Sequence, residues 1–423
     1  MTKKAGCSMA ILMMSLAMPV VVQARTEPSD DGSLTLQECY QLALKRSEEI
    51  AIHQELIRQT EGQFLQAFSG ILPRVSFVST DKRQDATGDS AFRLRQVPER
   101  RFTLSQPLFS GFKEFAAMAG SRAQRRQRRH ERRRAEELLL LDVADAFFLL
   151  AQSREELETL GVSRAALLEQ LDELRARQQL GRSRASESAS TEAQLRRVEA
   201  ETERLKSQEV TATHLLEFLT GLERIGLFAE EPLESEQFSE EHYLDQIARR
   251  ADVQAAEEAW RVAKQEVTIA RSALFPTVDL EGNYYTKRVG ASEGVNWDAL
   301  ITVDVPIFQG GKAIGATREA RSRARQAELR YQQLTRDAQR QIRDAYALLL
   351  AAVAQQQALE RALQAAEEDY RLELEDYRVN LISTLDMLQS LQALQETRRD
   401  TIAARFETKR RYWQLRVAAG ESL

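Results

Sequence analysis

The sequence predicts a mainly α protein with a transmembrane β-barrel part, built as a duplicated protomer of four β-strands plus long coiled-coil α-hairpins. Three observations point there. The stretch SQPLFSGF, Ser105 to Phe112, returns as DVPIFQGG, Asp304 to Gly311, 304 − 105 = 199 positions later. Each copy closes an alternating apolar and polar run and opens a proline-free stretch that reads as helix. The 423 residues hold only 8 Pro and 18 Gly with 29% charged side chains, a composition that suits long helices with solvated faces.

Residues 1–24 carry Lys3 and Lys4, an apolar stretch from Ala10 to Val22, and a small-x-small end at Val22-Gln23-Ala24. That is the anatomy of a secretory signal peptide cleaved after Ala24. Cys7 precedes the apolar stretch, so lipid attachment is not expected. Cleavage leaves Cys39 alone, which excludes an intramolecular disulfide and suggests a half-buried structural thiol. Elsewhere no run of 18 apolar residues occurs, so any membrane crossing falls to strands.

The repeats set the domain order. Residues 25–221 form the first: a helix from Leu36 to Leu72 halted by Pro73, a β-hairpin at about 74–108, and a long helical hairpin at about 112–220. Residues 222–242, acidic and holding Pro232, are an equatorial linker expected to pack with the chain ends. Residues 243–423 repeat the scheme: a helix from about Tyr243 stopped by Pro276, a hairpin at about 277–307, and a helical hairpin at about 311–420. Gly and Pro punctuate structure, so Pro73, Pro107, Gly111, Pro276, Pro306 and Gly310 are read as strand–helix junctions.

Between the junctions the periods differ. Trp297, Ala299, Ile301, Val303 and Val305 alternate with Asp298, Thr302 and Asp304, and Val278, Leu280 and Tyr284 alternate with Asp279, Glu281 and Asn283. Apolar-out, polar-in segments of about ten residues mark transmembrane barrel strands. The first hairpin is weaker, with Val75, Phe77, Phe102, Leu104 and Leu108 flanking a polar connection, Lys82 to Arg100, read as a surface loop. Past Gly111 the pattern is helical to about Leu180 and again from about Ser186. Leu150, Leu157, Leu160, Leu167, Leu171 and Leu174 step as a coiled-coil seam. Val143 matches Ile342, Gly181 matches Asn380 and Gly221 matches Gly420, all at 199, so the helix lengths have not drifted.

Chemistry is sparse. His53, His130, His214 and His242 have no second ligand at metal spacing, and there is no phosphate loop or nucleophile turn. No metal, no cofactor and no enzyme activity is expected. The basic run Arg122 to Arg134 lacks interleaved aromatics and is read as a solvated helix face, without nucleic acid as a partner. At the hairpin turns, Glu187 follows Gly181 by six residues, as Asp386 follows Asn380. Multiplied by symmetry, these carboxylates would ring a cation-selective opening; as a local reading they are two surface acids.

Taken together, QPLFSGF and VPIFQGG, LPRVSF and FPTVDL, RRADVQAAE, and YRVNLISTLDMLQSLQAL resemble the outer membrane efflux protein family of TolC-like channels over nearly all of the mature chain. The resemblance implies a homotrimer forming one 12-stranded barrel in outer membrane lipid and an α-helical periplasmic tunnel. Four strands leave two open edges, which lipid does not tolerate, so closure by other copies is also required by the strand pattern. Family partners are a periplasmic adaptor (membrane fusion protein), docking at the tips around Gly181 and Asn380, and an inner-membrane pump of RND, ABC or MFS type. In the periplasmic aperture Asp386 matches a ring aspartate and Tyr377 a latch tyrosine. Gln389 stands where the second ring aspartate would fall, and Ile382 where some members have Arg. The function implied is an exit duct of a tripartite efflux or type I secretion system; the alternative is an exported soluble coiled-coil scaffold.

Overall fold

The computed structural model describes residues 33–83, 96–229, 239–289, 292–379, 381–421 and 423; the expected signal peptide and Asn380 lie outside the described residues. In chain order the elements are β1 (Ser33–Leu34), α1 (Leu36–Arg46), α2 (Glu48–Ser69), β2 (Arg74–Arg83), β3 (Gln96–Ser110), α3 (Lys113–Gln179), α4 (Ala185–Thr220) and β4 (Leu227–Phe228). Then come α5 (Glu240–Leu244), a 3-10 turn (Ile247–Arg249), α6 (Ala251–Ser272), β5 (Thr277–Lys287), β6 (Trp297–Asp304), α7 (Lys312–Arg378) and α8 (Thr384–Ala419).

The duplication is legible residue by residue. α3 and α7 are both 67 residues long, α4 and α8 both 36, and each pair starts 199 apart (312 − 113 and 384 − 185). A helix of 67 residues spans about 100 Å. α2 and α6, both of 22 residues, start 251 − 48 = 203 apart. Equal lengths matter because the leucine seam must stay in register: Leu150, Leu160, Leu167, Leu171 and Leu174 are all buried. Of these, Leu160, Leu167 and Leu171 meet Leu195, Val198 and Leu205 of α4, and Leu388 and Leu391 of α8, in one cluster, while Leu150 joins the core around Phe147.

Several sequence expectations need correction. The helix expected from about Tyr243 is broken, since α5 ends at Leu244 and α6 starts only at Ala251, after Arg250 takes an extended ψ of 133. The first helix does not run unbroken from Leu36 to Leu72. Ser47, at φ −60 and ψ 116, ends α1 and caps α2, its Oγ accepting from the Ile50 amide at 3.3 Å. A short hydroxyl side chain offers the backbone a cap and so competes with helix continuation. Nor does the surface loop of the first hairpin start at Lys82, because β2 runs to Arg83 and β3 begins at Gln96, with Arg83 opposite Gln96. Polar residues in these strands hid the pairing; residues 84–95 lie outside the described residues.

The main core sits mid-way along the long helices, where Cys39, Tyr40, Leu140, Phe147, Phe148, Leu216, Ile402, Phe406 and Trp413 are packed together. Cys39 is fully buried rather than half-buried, and burial pushes its thiol up to about 12. β1 and β4 pair in parallel beside this core, Leu34 opposite Phe228, and the Phe228 ring meets Phe147 edge to face at 4.7 Å. Part of the linker is thereby fixed to the start of the chain; residues 230–238 lie outside the described residues.

The basic run is not the free solvated face its composition suggests. Arg126 forks onto Glu258 of α6 with two 2.9 Å bonds, Arg132 pairs with Glu136, and Arg134 pairs with the buried Glu137 at 3.0 Å. Arg134 also donates to the Val417 carbonyl at 3.3 Å. The residues at helical spacing turn part of the run toward α6 and α8, where acids and carbonyls receive it.

Candidate functional site: barrel wall, junctions and hairpin tips

β2, β3, β5 and β6 form one antiparallel sheet in that order, leaving β2 and β6 as free edges. Register aligns the two faces. Val75 lies opposite Leu104, Phe77 opposite Phe102, Tyr284 opposite Trp297, Leu280 opposite Ile301 and Val278 opposite Val303. This apolar face is uncovered: Trp297, Ile301 and Val303 are 68%, 63% and 59% exposed. The other face is a polar network. Thr103 Oγ1 donates to Asn283 Oδ1 at 2.8 Å, Asn283 Nδ2 donates to Asp298 Oδ1 at 3.0 Å, and the Tyr285 hydroxyl donates to Asp298 Oδ2 at 2.8 Å. Satisfied polar groups on one face and bare apolar groups on the other are the reverse of a soluble protein's economy; they suit a wall between lipid and a wet lumen.

At the junctions the two repeats make the same turn with different residues. Gly111 (φ 64) and Phe112 (φ 67) are consecutive left-handed residues before α3, and Gly310 (φ 58) and Gly311 (φ 85) do the same before α7. Phe112 is a non-glycine held where side chains are disfavoured, a feature invisible in the sequence. Gly111 packs against the end of α6, whereas Gly310 faces open space. Pro73 and Pro276 sit between a helix and its following strand. Pro306 lies beyond the end of β6, but Pro107 lies inside β3, which continues to Ser110. β2 pairs with β3 only as far as Ser105, and a register shift against β5 falls between Pro107 and Phe109. A proline without an N–H is tolerated at such a bulge.

The tips of the long hairpins hold the other predicted residues. After α3, Gly181 takes φ +70, and the Arg182 amide donates back to the Arg177 carbonyl at 2.9 Å. The Leu381 amide repeats that bond to the Asp376 carbonyl at 2.9 Å, again 199 residues on. Glu187 and Asp386 hold equivalent positions, each accepting from the backbone amide of its helix's N-cap residue, but only Asp386 completes a capping box, because its N-cap is Ser383 whereas that of α4 is Arg184, whose side chain cannot accept. Asp386 Oδ2 accepts from the Ser383 hydroxyl at 2.7 Å and the Ser383 amide at 3.1 Å, and these bonds hold its carboxyl below the usual aspartate range. Glu187 accepts from the Ser183 hydroxyl and the Arg184 amide.

Tyr377 is half-buried in the last turn of α7, and Gln389 is exposed one turn after Asp386 on the same side of α8. Sequence reasoning missed the apolar tips. Leu180, Val379, Leu381 and Leu385 are all exposed there; the signal available was that LGRS and VNLIS place apolar residues in turns, where polar ones are usual.

The sequence pattern of the outer membrane efflux proteins matches residues 39–222 and 244–421, most of the chain. The chain belongs to the outer membrane efflux protein family. A 71-residue stretch is 37% identical to outer membrane protein OprJ of Pseudomonas aeruginosa, covering 16% of this chain and 15% of that protein. Among solved structures, the outer membrane protein VceC of Vibrio cholerae is similar with a TM-score of 0.79 at 20% identity, over 92% of this chain and 96% of that one. The CmeC outer membrane channel of Campylobacter jejuni is similar with a TM-score of 0.79 at 18% identity, over 91% and 85%.

Membership makes this an outer membrane channel of the TolC-like type: a duplicated protomer of helical tunnel and β-barrel parts. Among the described residues no helix is long and apolar enough to cross a membrane. In a family member the four-stranded sheet, with its uncovered apolar face, is the part suited to the bilayer. Among them, too, no group of three or more His, Cys, Asp or Glu is placed to hold a metal.

Proposed function

We propose that the chain is the exit duct of a tripartite efflux or type I secretion assembly, a passive conduit carrying small molecules or proteins from the periplasmic side outward. The observation that carries this reading is the sheet with two free edges and an uncovered apolar face, joined through paired left-handed turns to helices of 67 residues. Free edges in lipid demand closure, and three copies supply a barrel of twelve strands without an edge. The helices support the same reading. α3 buries twenty residues within the protomer, α7 only six, so α7 presents a long face for a neighbouring copy.

A soluble scaffold would leave the apolar sheet face to water, which is costly at about 25 cal/mol per Å2. The duct needs partners to move anything against a gradient, so a periplasmic adaptor and an inner-membrane pump of RND, ABC or MFS type complete it. The exposed Leu180, Val379, Leu381 and Leu385 make the tips the adaptor's docking place, and Tyr377, Glu187, Asp386 and Gln389 belong to the aperture that docking opens. Purified trimers in planar bilayers test the conduit: stepwise cation-preferring conductance is expected, and a water-extractable monomer without conductance would end the reading.

A further inference from the structure

Register places Phe77, Phe102, Tyr284 and Trp297 in one row across all four strands, each opposite the next. All four are exposed on the apolar face. Aromatic rows of this kind lie at the level of lipid headgroups. The long helices leave the sheet from its other end, so this row is the outer one. One row further out, Ser79 faces Arg100, and Arg100 faces Lys287.

Simple alternation from Tyr284 would send Lys287 inward with Tyr285. The ladder does not alternate simply there: Arg101 pairs with Tyr285 and Arg100 with Lys287, so Thr286 is an extra residue, its hydroxyl donating to the Arg100 carbonyl at 3.2 Å. A bulge of this type re-aims the side chains that follow it. Arg288 shows the result. It stands 4.1 Å over the Tyr285 ring and approaches Glu99 at 3.6 Å and Asp298 at 3.9 Å, all on the polar face. Lys287, one residue before it, therefore shares the outward face with Arg100. Arg101 and Arg288 on the inner face are both paired with Glu99. Among the described residues, Arg100 and Lys287 have no ion-pair partner, and both are exposed. Asp81, on the outward face of β2, is held by the Gln96 amide at 2.8 and 3.0 Å.

We infer that Arg100 and Lys287 form a binding surface for the phosphate groups of outer-leaflet lipid headgroups, with the aromatic row beneath them seated at the acyl boundary. The inference rests on the apolar face being the membrane wall. Two cations aimed outward at headgroup level match phosphate in charge and depth, and each strengthens attraction to an anionic surface about five-fold.

The test uses wild-type trimer and the Arg100→Gln/Lys287→Gln variant in phosphatidylcholine nanodiscs doped with diphosphorylated lipid A or with its dephosphorylated form. Lipids retained per trimer are counted by native mass spectrometry. Wild type should retain the phosphorylated form preferentially. The double variant should lose about ten- to thirty-fold of that preference, while Arg100→Lys and Arg74→Gln, on the other face, keep it. Equal retention by wild type and double variant, or no preference for phosphate in wild type, overturns the inference with the membrane wall intact. Failure of wild type to enter nanodiscs of any composition overturns the membrane wall, and the inference with it.

Discussion

Gly111 lies so close to Ser272 that a Cβ on it would stand 2.7 Å from the Ser272 carbonyl oxygen. A second clash, 2.9 Å from the Phe275 Cβ, adds to a left-handed φ of 64. Gly310, its counterpart 199 residues later, has φ 58 but nothing within 4 Å of the same point. Gly111→Ala must therefore move backbone at the contact between the repeats, while Gly310→Ala meets only conformational strain of about 1–2 kcal/mol. We expect Gly111→Ala to abolish heat-resistant trimer in outer membrane fractions and Gly310→Ala to reduce it mildly. Equal trimer yields from the two would show that the close contact does not govern assembly.

The tip carboxylates serve their own helices before they serve a pore. Asp386 is bonded by the Ser383 hydroxyl and amide, which lowers its proton affinity in the folded chain. For a depressed carboxyl, the stabilising contribution is full above the unfolded value near 3.8 and is lost as pH falls through the lower folded value. Cation preference owed to Asp386 should accordingly persist down to pH 4 (about the ordinary aspartate value) and fade only below it. Asp386→Asn should remove the preference and keep trimers assembled. Reversal potentials across a salt gradient, followed against pH, check this; a midpoint at pH 5 or above (roughly one unit over that value) would assign the preference to another group.

Among the described residues, Arg250 is the largest fully buried side chain. It donates to Asp252 at 2.7 and 3.0 Å, to Gln341 Oε1 at 2.9 Å and to the Ala418 carbonyl at 2.8 Å, tying the start of α6 to α7 and to the end of α8. Burial alone would raise the Asp252 carboxyl, but the Arg250 hydrogen bonds with the charges of Arg250 and Arg134 outweigh it and hold it low. Arg250→Met leaves Asp252 and the Ala418 carbonyl without their buried donor, and breaking such a pair costs about 3–5 kcal/mol. The expected result is a lower denaturation midpoint at neutral pH, with a smaller difference from wild type once Asp252 is protonated in acid. A variant as stable as wild type at pH 7 (about neutral, well above the carboxylate range) would show that the clamp is not holding the joint.

Why some of this was legible in the sequence and some was not follows from what each feature depends on. The leucine seam and the alternation from Trp297 to Val303 are local periodicities, and the 199-residue offset is a repeat of the sequence itself; together they carried the helix lengths and the sheet faces. The continuation of β3 past Pro107 and the close packing of Gly111 depend on partners far along the chain, the ladder to β5 and the end of α6, while the break at Ser47 turns on a local cap to Ile50 that competes with a helical pattern running through it. The basic run misled because its charge was visible while its partner Glu258, 132 residues away, was not. At the tips, sequence spacing singled out Glu187 and Asp386, and only the geometry revealed them as capping residues.

The two faces of β6 give the sharpest test of the membrane wall, because adjacent residues should respond oppositely. Ile301 lies on the uncovered apolar face opposite Leu280, and Thr302 on the polar face opposite Asp279. An arginine on the lipid face near the bilayer midplane costs about 2–4 kcal/mol per chain, and every copy in the assembly bears it, whereas lumen substitutions mainly tune conduction. Thr302→Arg also meets a carboxylate across the ladder at Asp279, which offsets its charge. We therefore expect Ile301→Arg to remove the protein from outer membrane fractions, and Thr302→Arg to assemble with altered single-channel conductance. The charge added is the same and the positions are neighbours, so hydrophobicity of the segment as a whole cannot explain a difference between them. Normal assembly of Ile301→Arg would mean that this face never meets lipid.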